Sequence, residues 1–401
     1  MKLDEFLIKG EKLRQQDRTL AIAYFEQCLQ NTTLSKNEDL DTTARVLLDL
    51  AMELIGTKQP ESLERAQALI QKAGKVLSQN LEINNEQKAY LLYANAILAL
   101  ELGDLRDVLN TLQAAYAAYG NNLEGQALTD DAIAQYYLRV GDPQSALMSF
   151  ERSLSVRLES TNESAIGTSY AYLGNLYLLS GNINQASSFF QNTLDISLTN
   201  SNNFLQLQAL KGLAKVAIAE NQWQIASAKI KEAICLLKEP VDTIEIGYLY
   251  CDLAEALLGD RQIEESLICL KTNVFPRFRN FQYEKGVAIA KHIRGRIYFH
   301  RLLEGLDSLS EDAIAAAEDS LLDASIGFEQ FGMMADYAKT LYDLACLYQL
   351  CGNSQFQYQY QGKSLRSLEL SLSVLDKIGM SNTQLASQVE AMLNQVMRGR
   401  F

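Results

Sequence analysis

The middle of this sequence repeats itself every 40 residues, and a period of that length limits what the chain can become more than any other feature. Four stretches align without gaps. Ile133, Leu173, Leu213 and Leu253 share one slot, followed by Ala134, Gly174, Ala214 and Ala254. Tyr137, Tyr177, Ala217 and Leu257 stand three residues later. Gly141 and Gly181 then mark a turn, and Asn221 and Arg261 replace them in the next two copies. Ala146, Ala186, Ala226 and Ser266 come next, with Phe150, Phe190, Ile230 and Leu270 four beyond them and Ser153, Thr193, Ala233 and Asn273 three beyond those.

Each slot has a physical reason. The large apolar residues recur at helical spacing and make one stripe per helix. The Ala or Gly beside them lets a second helix approach closely. A residue that tolerates positive φ ends the first helix. The Ala-x-x-x-Phe pair gives the second helix a small face and a large knob. One such hairpin cannot bury its own apolar face, so hairpins stack. The expected fold is all-α, a right-handed α-solenoid of stacked helix-turn-helix repeats.

Weaker copies flank the centre. Ala21, Phe25 and Cys28 mark the second helix of a first repeat. Leu50, Ala51, Leu54, Ala66, Ile70 and Ala73 mark another, with a short insertion near Gln59-Pro60, and Ala96, Gly103, Leu112 and Ala115 a third. Gly295 and Tyr298 open a later repeat whose second helix carries Ala317, Leu321 and Ala324. Leu344, Ala345, Tyr348 and Gly352 open the last, with Gln357 and Gln361 in its small and large slots. The chain thus divides into degenerate repeats at 1–126, four regular repeats at 127–286, divergent repeats with an acidic insertion near 301–312 at 287–379, and a capping helix at 380–401. That last helix has Ser381 as candidate N-cap and Leu385, Val389, Leu393 and Val396 as its stripe.

Composition narrows the function. A net charge of −13 argues against nucleic acid and against an anionic membrane surface as partner, and favours basic partners. Met1 to Phe6 are charged and amphipathic rather than a signal core, and no apolar run approaches the length of a membrane span. The cysteines Cys28, Cys235, Cys251, Cys269, Cys346 and Cys351 form no Cys-x-x-Cys pair and sit in apolar helical contexts, as in a reducing compartment. A cytoplasmic location follows.

The string Tyr170-Ala171-Tyr172-Leu173-Gly174-Asn175-Leu176-Tyr177, then Gly181-Asn182 and Ala186-x-x-x-Phe190, resembles a tetratricopeptide repeat (TPR). The 40-residue period is similar to the longer-helix repeats of kinesin light chains, cell-polarity adaptors and bacterial signalling sensors. The resemblance implies a superhelix whose first helices line a concave groove that holds a partner peptide or helix. Asn175 sits where the family's long-period members grip a peptide backbone. Gln135, Lys215 and Glu255 take its place in the other regular repeats, so no asparagine ladder exists.

The candidate partner-binding residues on the first helices are Gln135, Tyr172, Asn175, Lys211, Lys215, Tyr248, Arg296 and Tyr342. Lys211 and Lys215 lie one turn apart and suit an acidic partner. Between 277 and 301, Arg277, Arg279, Lys285, Lys291, Arg294, Arg296 and Arg301 form a basic stretch. An acidic stretch, from Glu304 to Asp323, follows and is placed to fold back on it.

No phosphate loop, dinucleotide fingerprint or nucleophile elbow occurs, and His292 and His300 stand apart from metal-ligand spacing. The sequence predicts no catalytic residue, metal or cofactor. It predicts a non-catalytic scaffold binding another protein. A regulatory sensor whose array changes shape on binding a peptide or small ligand is the alternative. The ends of the array leave a homodimer open.

Overall fold

The computed structural model describes residues 3–34, 40–79, 85–160, 162–237, 243–352, 357–381 and 383–398. Met1, Lys2 and residues 399–401, parts of the sequence read above, lie outside them. Every regular element among the described residues is a helix. The chain forms two compact units, Met1–Leu213 and Ala214–Phe401, and the division falls inside a helix.

The first unit runs α1 (Leu3–Gln16), α2 (Arg18–Leu34), α3 (Leu40–Thr57), α4 (Pro60–Ser78), α5 (Asn85–Leu102), α6 (Val108–Tyr119), α7 (Leu123–Arg139), α8 (Pro143–Ser160), α9 (Glu163–Leu179) and α10 (Ile183–Thr199), and takes in the first part of α11 (Asn203–Ala219). Successive helices pair antiparallel as hairpins. The second unit continues with α12 (Trp223–Leu236), α13 (Ile244–Gly259), α14 (Ile263–Cys269), α15 (Phe275–Asn280), α16 (Glu284–Leu303), α17 (Glu311–Gln330), α18 (Met334–Gly352), α19 (Gln357–Lys377) and α20 (Gln384–Met397).

The turn slot behaves as its chemistry requires. Gly141, Gly181, Asn221 and Arg261 all have positive φ, from 59° to 82°. The amide after each donates to the carbonyl five residues back: Asp142 to Tyr137 and Asn182 to Tyr177 at 2.8 Å, Gln222 to Ala217 at 2.8 Å, Gln262 to Leu257 at 2.9 Å. This wrapped termination satisfies helix-end carbonyls and turns the chain sharply. The opposite ends recur too. Asn122, Asn162 and Asn202 stand 40 apart and each accepts through Oδ1 from the amide three residues on.

Core packing follows the small-and-large pattern. The Phe190 ring is fully buried, and a Cβ on Gly174 or on Gly212 would fall within 3.0 Å of it. Two glycines therefore hold one ring. The fourth regular repeat departs from its pattern. Between α14 and α15 the backbone widens into a π-helical turn at Leu270–Val274, where the Phe275 amide reaches back to the Leu270 carbonyl. Pro276 lacks the amide that would close an α-turn on Thr272, which accounts for the widening.

Two expectations need correction. In the last repeat Gln361 does not fill the large slot, and the Gln357 side chain lies outside the described residues. The buried pattern is Ser364, Leu368 and Ser371. The Ser364 hydroxyl donates to the Ala345 carbonyl (3.3 Å) and that of Ser371 to Ala338 (2.8 Å), one antiparallel register. Ser266 makes the same tie to Ala254 at 2.6 Å. The pattern was missed because the last hairpin is seven residues longer between these slots, which moved the alignment. At α20, Thr383 rather than Ser381 caps the helix, its hydroxyl accepting from Ala386 N at 3.3 Å. Ser381 instead donates to Asp376. Ala386, Val389 and Val396 are buried, and Leu385 and Leu393 pack beside them.

Candidate functional site

In the second unit the first helices α13, α16 and α18 bring ionisable side chains from three hairpins into one seam. Glu255 projects from α13, His292 and Arg296 from α16, and Asp336, Lys339 and Asp343 from α18. The spacing explains the grouping: His292 and Arg296 are four apart, Asp336, Lys339 and Asp343 three and four apart, so each set shares a helix face.

The charges interlock. Arg296 Nη1 donates to Glu255, and Lys339 Nζ lies 3.6 Å from the same carboxylate. His292 Nε2 meets Asp343 Oδ2 at 2.7 Å, and Arg296 Nε is 3.9 Å from that oxygen. His292 is buried at 4% exposure, whereas Arg296 and Lys339 reach solvent. Burial alone would raise the Glu255 carboxyl, but Lys339, Arg296 and His292 outweigh it and hold it at about 2. Burial works the same way on Asp343, and His292, Arg296 and Lys339 again pull it below the ordinary carboxylate range. Asp336 goes the other way: burial raises it, and His292, Lys339 and Lys215 only partly compensate. The nearby thiol of Cys346 is pushed up to about 12, mainly by burial and then by Asp343. The seam therefore offers fixed charges. It has no lowered thiol for nucleophilic work, and among the described residues no group of three His, Cys, Asp or Glu side chains could hold a metal ion.

The structure brings together four of the candidate residues. Arg296 is central to the seam. Lys215 lies close enough to act on Asp336. Tyr342 sits beside Asp343 and Cys346. Tyr248 feels Asp336, but its ring packs edge-on against Phe278 and its hydroxyl meets Tyr283 at 2.9 Å. The other candidates belong to the first unit. Tyr172 stacks on Phe150 with centroids 5.2 Å apart, beside Gln135 of α7, and burial raises its hydroxyl to about 12. Asn175 is exposed, but its Nδ2 donates to Ala171 of its own helix at 2.8 Å. Lys211 is half-buried on α11.

Sequence reasoning missed Asp336, Lys339 and Asp343, and it weighed His292 only as a metal ligand and set it aside on spacing. Their signal was the i, i+3, i+7 acid–base–acid spacing on α18. The first unit buries carboxylates of its own against polar partners. Arg157 joins Asp131 at 2.5 Å and Ser169 at 2.8 Å, Arg152 pairs with Asp130, and Tyr90 donates to Asp49 at 2.7 Å.

The basic stretch is shared out rather than gathered. Lys291 pairs with Asp323 at 3.0 Å and Arg301 grips Asp307 through two nitrogens, both in the acidic stretch. Arg277 lies over Tyr250 and Arg294 over Phe275.

No protein-family model and no curated protein matches the chain. Solved structures do. The apo form of the quorum sensor NprR from B. thuringiensis superposes with a TM-score of 0.60 at 14% identity, covering 93% of this chain and 97% of that one. NprR in complex with its cognate peptide NprX gives 0.50 at 13%, with 93% and 97% covered. A Rap protein complexed with competence and sporulation factor gives 0.64 at 11%, with 94% and 98% covered. Aspartyl phosphate phosphatase F from Bacillus subtilis gives 0.57 at 12%, with 91% and 92% covered.

The fold is a TPR-like α-solenoid.

At such identities the likeness is one of fold. α13, α16 and α18 each open a hairpin, so the seam draws on three hairpins rather than on one. No helix among the described residues is long and apolar enough to cross a membrane.

Proposed function

We propose that this TPR-like chain is a non-catalytic, partner-binding protein of the cytoplasm that holds a peptide or helical segment of another protein on its first-helix faces. One observation carries the reading: three consecutive first helices converge six ionisable side chains on one seam, with Arg296 and Lys339 at its solvent edge. Such preorganised, internally compensated charges select a partner's charge pattern and fix its register, which is how fixed ion pairs serve recognition. The paired carboxylates and the raised thiols of Cys251, Cys269, Cys346 and Cys351 suit binding better than turnover. NprR, a structure of similar fold, takes a cognate peptide. In the first unit, Gln135, Tyr172, Asn175 and Lys211 are the corresponding candidates. Nucleic acid is no partner in this reading, and a homodimer is compatible with it.

A second reading is a regulatory sensor, in which the bound peptide changes the array and so controls a partner. It is favoured by the fold's occurrence in a quorum sensor and by the near-neighbour character of repeat stacking, which lets a ligand bias the shape.

The test is a peptide library displayed on phage and selected against the intact chain, with selected peptides measured by fluorescence anisotropy. Lys339→Ala should weaken them about tenfold, the scale of one interface charge, while Lys271→Ala, on the exposed side of the π-helical turn, leaves them unchanged. Peptides indifferent to Lys339→Ala would remove the seam from the binding site.

A further inference from the structure

The link between α16 and α17 is one place where the hairpin pattern is broken by an insertion, and it exposes apolar side chains. Leu303, Leu306 and Leu309 are 52%, 55% and 39% exposed, three leucines within seven residues. Single exposed leucines are ordinary, but a cluster marks a contact surface.

The segment is also tied at its base by side-chain and backbone hydrogen bonds. Arg301 Nε and Nη2 grip both Asp307 carboxylate oxygens at 2.7 and 2.9 Å, and its Nη1 donates to Glu264 on α14. The Arg301 carbonyl accepts from the amides of Leu306 (2.9 Å) and Asp307 (3.2 Å). Gly305, at φ 69°, makes the reversal. A loop pinned this way presents its leucines without paying ordering entropy on contact.

The rim decides the partner's charge. Glu304, Glu311 and Asp312 are exposed around the leucines, and Glu264 flanks them. From Leu302 to Ala338 the sequence holds no Lys or Arg. Among the described residues, Arg301 is committed to Asp307 and Glu264, and Arg261 lies 4.0 Å from Glu304. An apolar knob ringed by carboxylates is complementary to a segment that alternates apolar and basic side chains.

We propose that the segment Leu303–Asp312, the α16–α17 link with the helix ends that flank it, is a second docking surface, distinct from the first-helix seam, for a basic amphipathic segment of a partner protein. The leucines enter the partner's apolar face, and Glu304, Glu311 and Asp312 meet its lysines or arginines.

The experiment uses the full chain and a fluorescein-labelled synthetic helix carrying lysine and leucine at amphipathic spacing, with a glutamate-for-lysine counterpart as control. Saturable binding of the lysine peptide, at least about tenfold weaker for Leu306→Asp and for Glu311→Lys with Asp312→Lys, supports the surface. Circular dichroism and the affinity of seam-selected peptides should not move in these variants, which separates this surface from the first-helix reading. Three results overturn the proposal: lysine-peptide binding indifferent to both variants, equal binding of the glutamate peptide, or sedimentation showing a dimer of the wild-type chain that Leu306→Asp abolishes. The last outcome assigns the loop to a second copy of the chain.

Discussion

Phe190 shows how much one residue's fit constrains its neighbours. Its ring is wedged between Gly174 and Gly212, and a methyl group on Gly212 would approach its carbons to 2.2–2.5 Å. Helix propensity favours Ala over Gly by about 1 kcal/mol, whereas overpacking a dense core costs about 1–3 kcal/mol. The ring is large and has no side to retreat to, so packing wins. Gly212→Ala should therefore destabilise the protein by about 1–2 kcal/mol, read as a lower urea midpoint with an unchanged slope. A stabilised variant would mean that the ring can move aside. At this scale the sequence was legible where size mattered: the Gly174 slot was recognisable as a close approach. The charged seam was less so. Asp336, Lys339 and Asp343 look like a solvated helix face until α13 and α16 are brought alongside, because a charge pattern does not tell which face is covered.

At the scale of the element, the hairpin turns carry a clean test. Gly181 has φ 75° and open space where a Cβ would go, so a substitution there acts on backbone conformation alone. Gly181→Ala should cost about 1 kcal/mol, the penalty of a left-handed L-residue. Thermal melts would show it as a drop of a few degrees, and no drop would mean that the turn relaxes. The regular hairpins were readable because the same residue classes recur at one spacing and each copy corroborates the next. Reading failed where the spacing changed. The last hairpin is longer, so its Ser364, Leu368 and Ser371 fell outside the window in which Gln357 and Gln361 were sought. The π-helical turn at Leu270–Val274 takes up one more residue than an α-turn, so Val274, rather than the Asn273 of the ungapped alignment, is the buried counterpart of Ser153, Thr193 and Ala233. Caps were equally hard: Ser381 and Thr383 are both competent hydroxyls, and only the position of the first helical amides decides between them.

For the molecule as a whole, electrostatics sets a direction that can be measured. Glu255 is held at about 2 in the folded protein against an ordinary value of 4.5. A carboxyl depressed on folding contributes stability that is fully present above its unfolded value and is lost as pH falls from 4.5 toward 2. Asp343 is lowered and acts in the same sense, while Asp336 is raised and opposes them. The only tryptophan, Trp223, belongs to the second unit and packs on Gly259, so its fluorescence reports on the unit that contains the seam. Urea midpoints followed through Trp223 should fall as pH drops from 5 to 3, and Glu255→Gln should flatten that fall while lowering the midpoint at neutral pH. A pH profile identical to that of the wild type would show that Glu255 is not held ionised by its partners.

Because Asn122, Asn162 and Asn202 stand at one spacing and each ties the same relative amide, a segment cut at two of them begins and ends on chemically matching atoms. Length in such a chain is quantised. A duplication or excision in register adds or removes one whole hairpin and leaves the flanking helix starts intact, whereas a change of any other size orphans a cap. Copying a stretch of gene in register therefore keeps the caps, and only the packing between the newly joined hairpins has to be fitted.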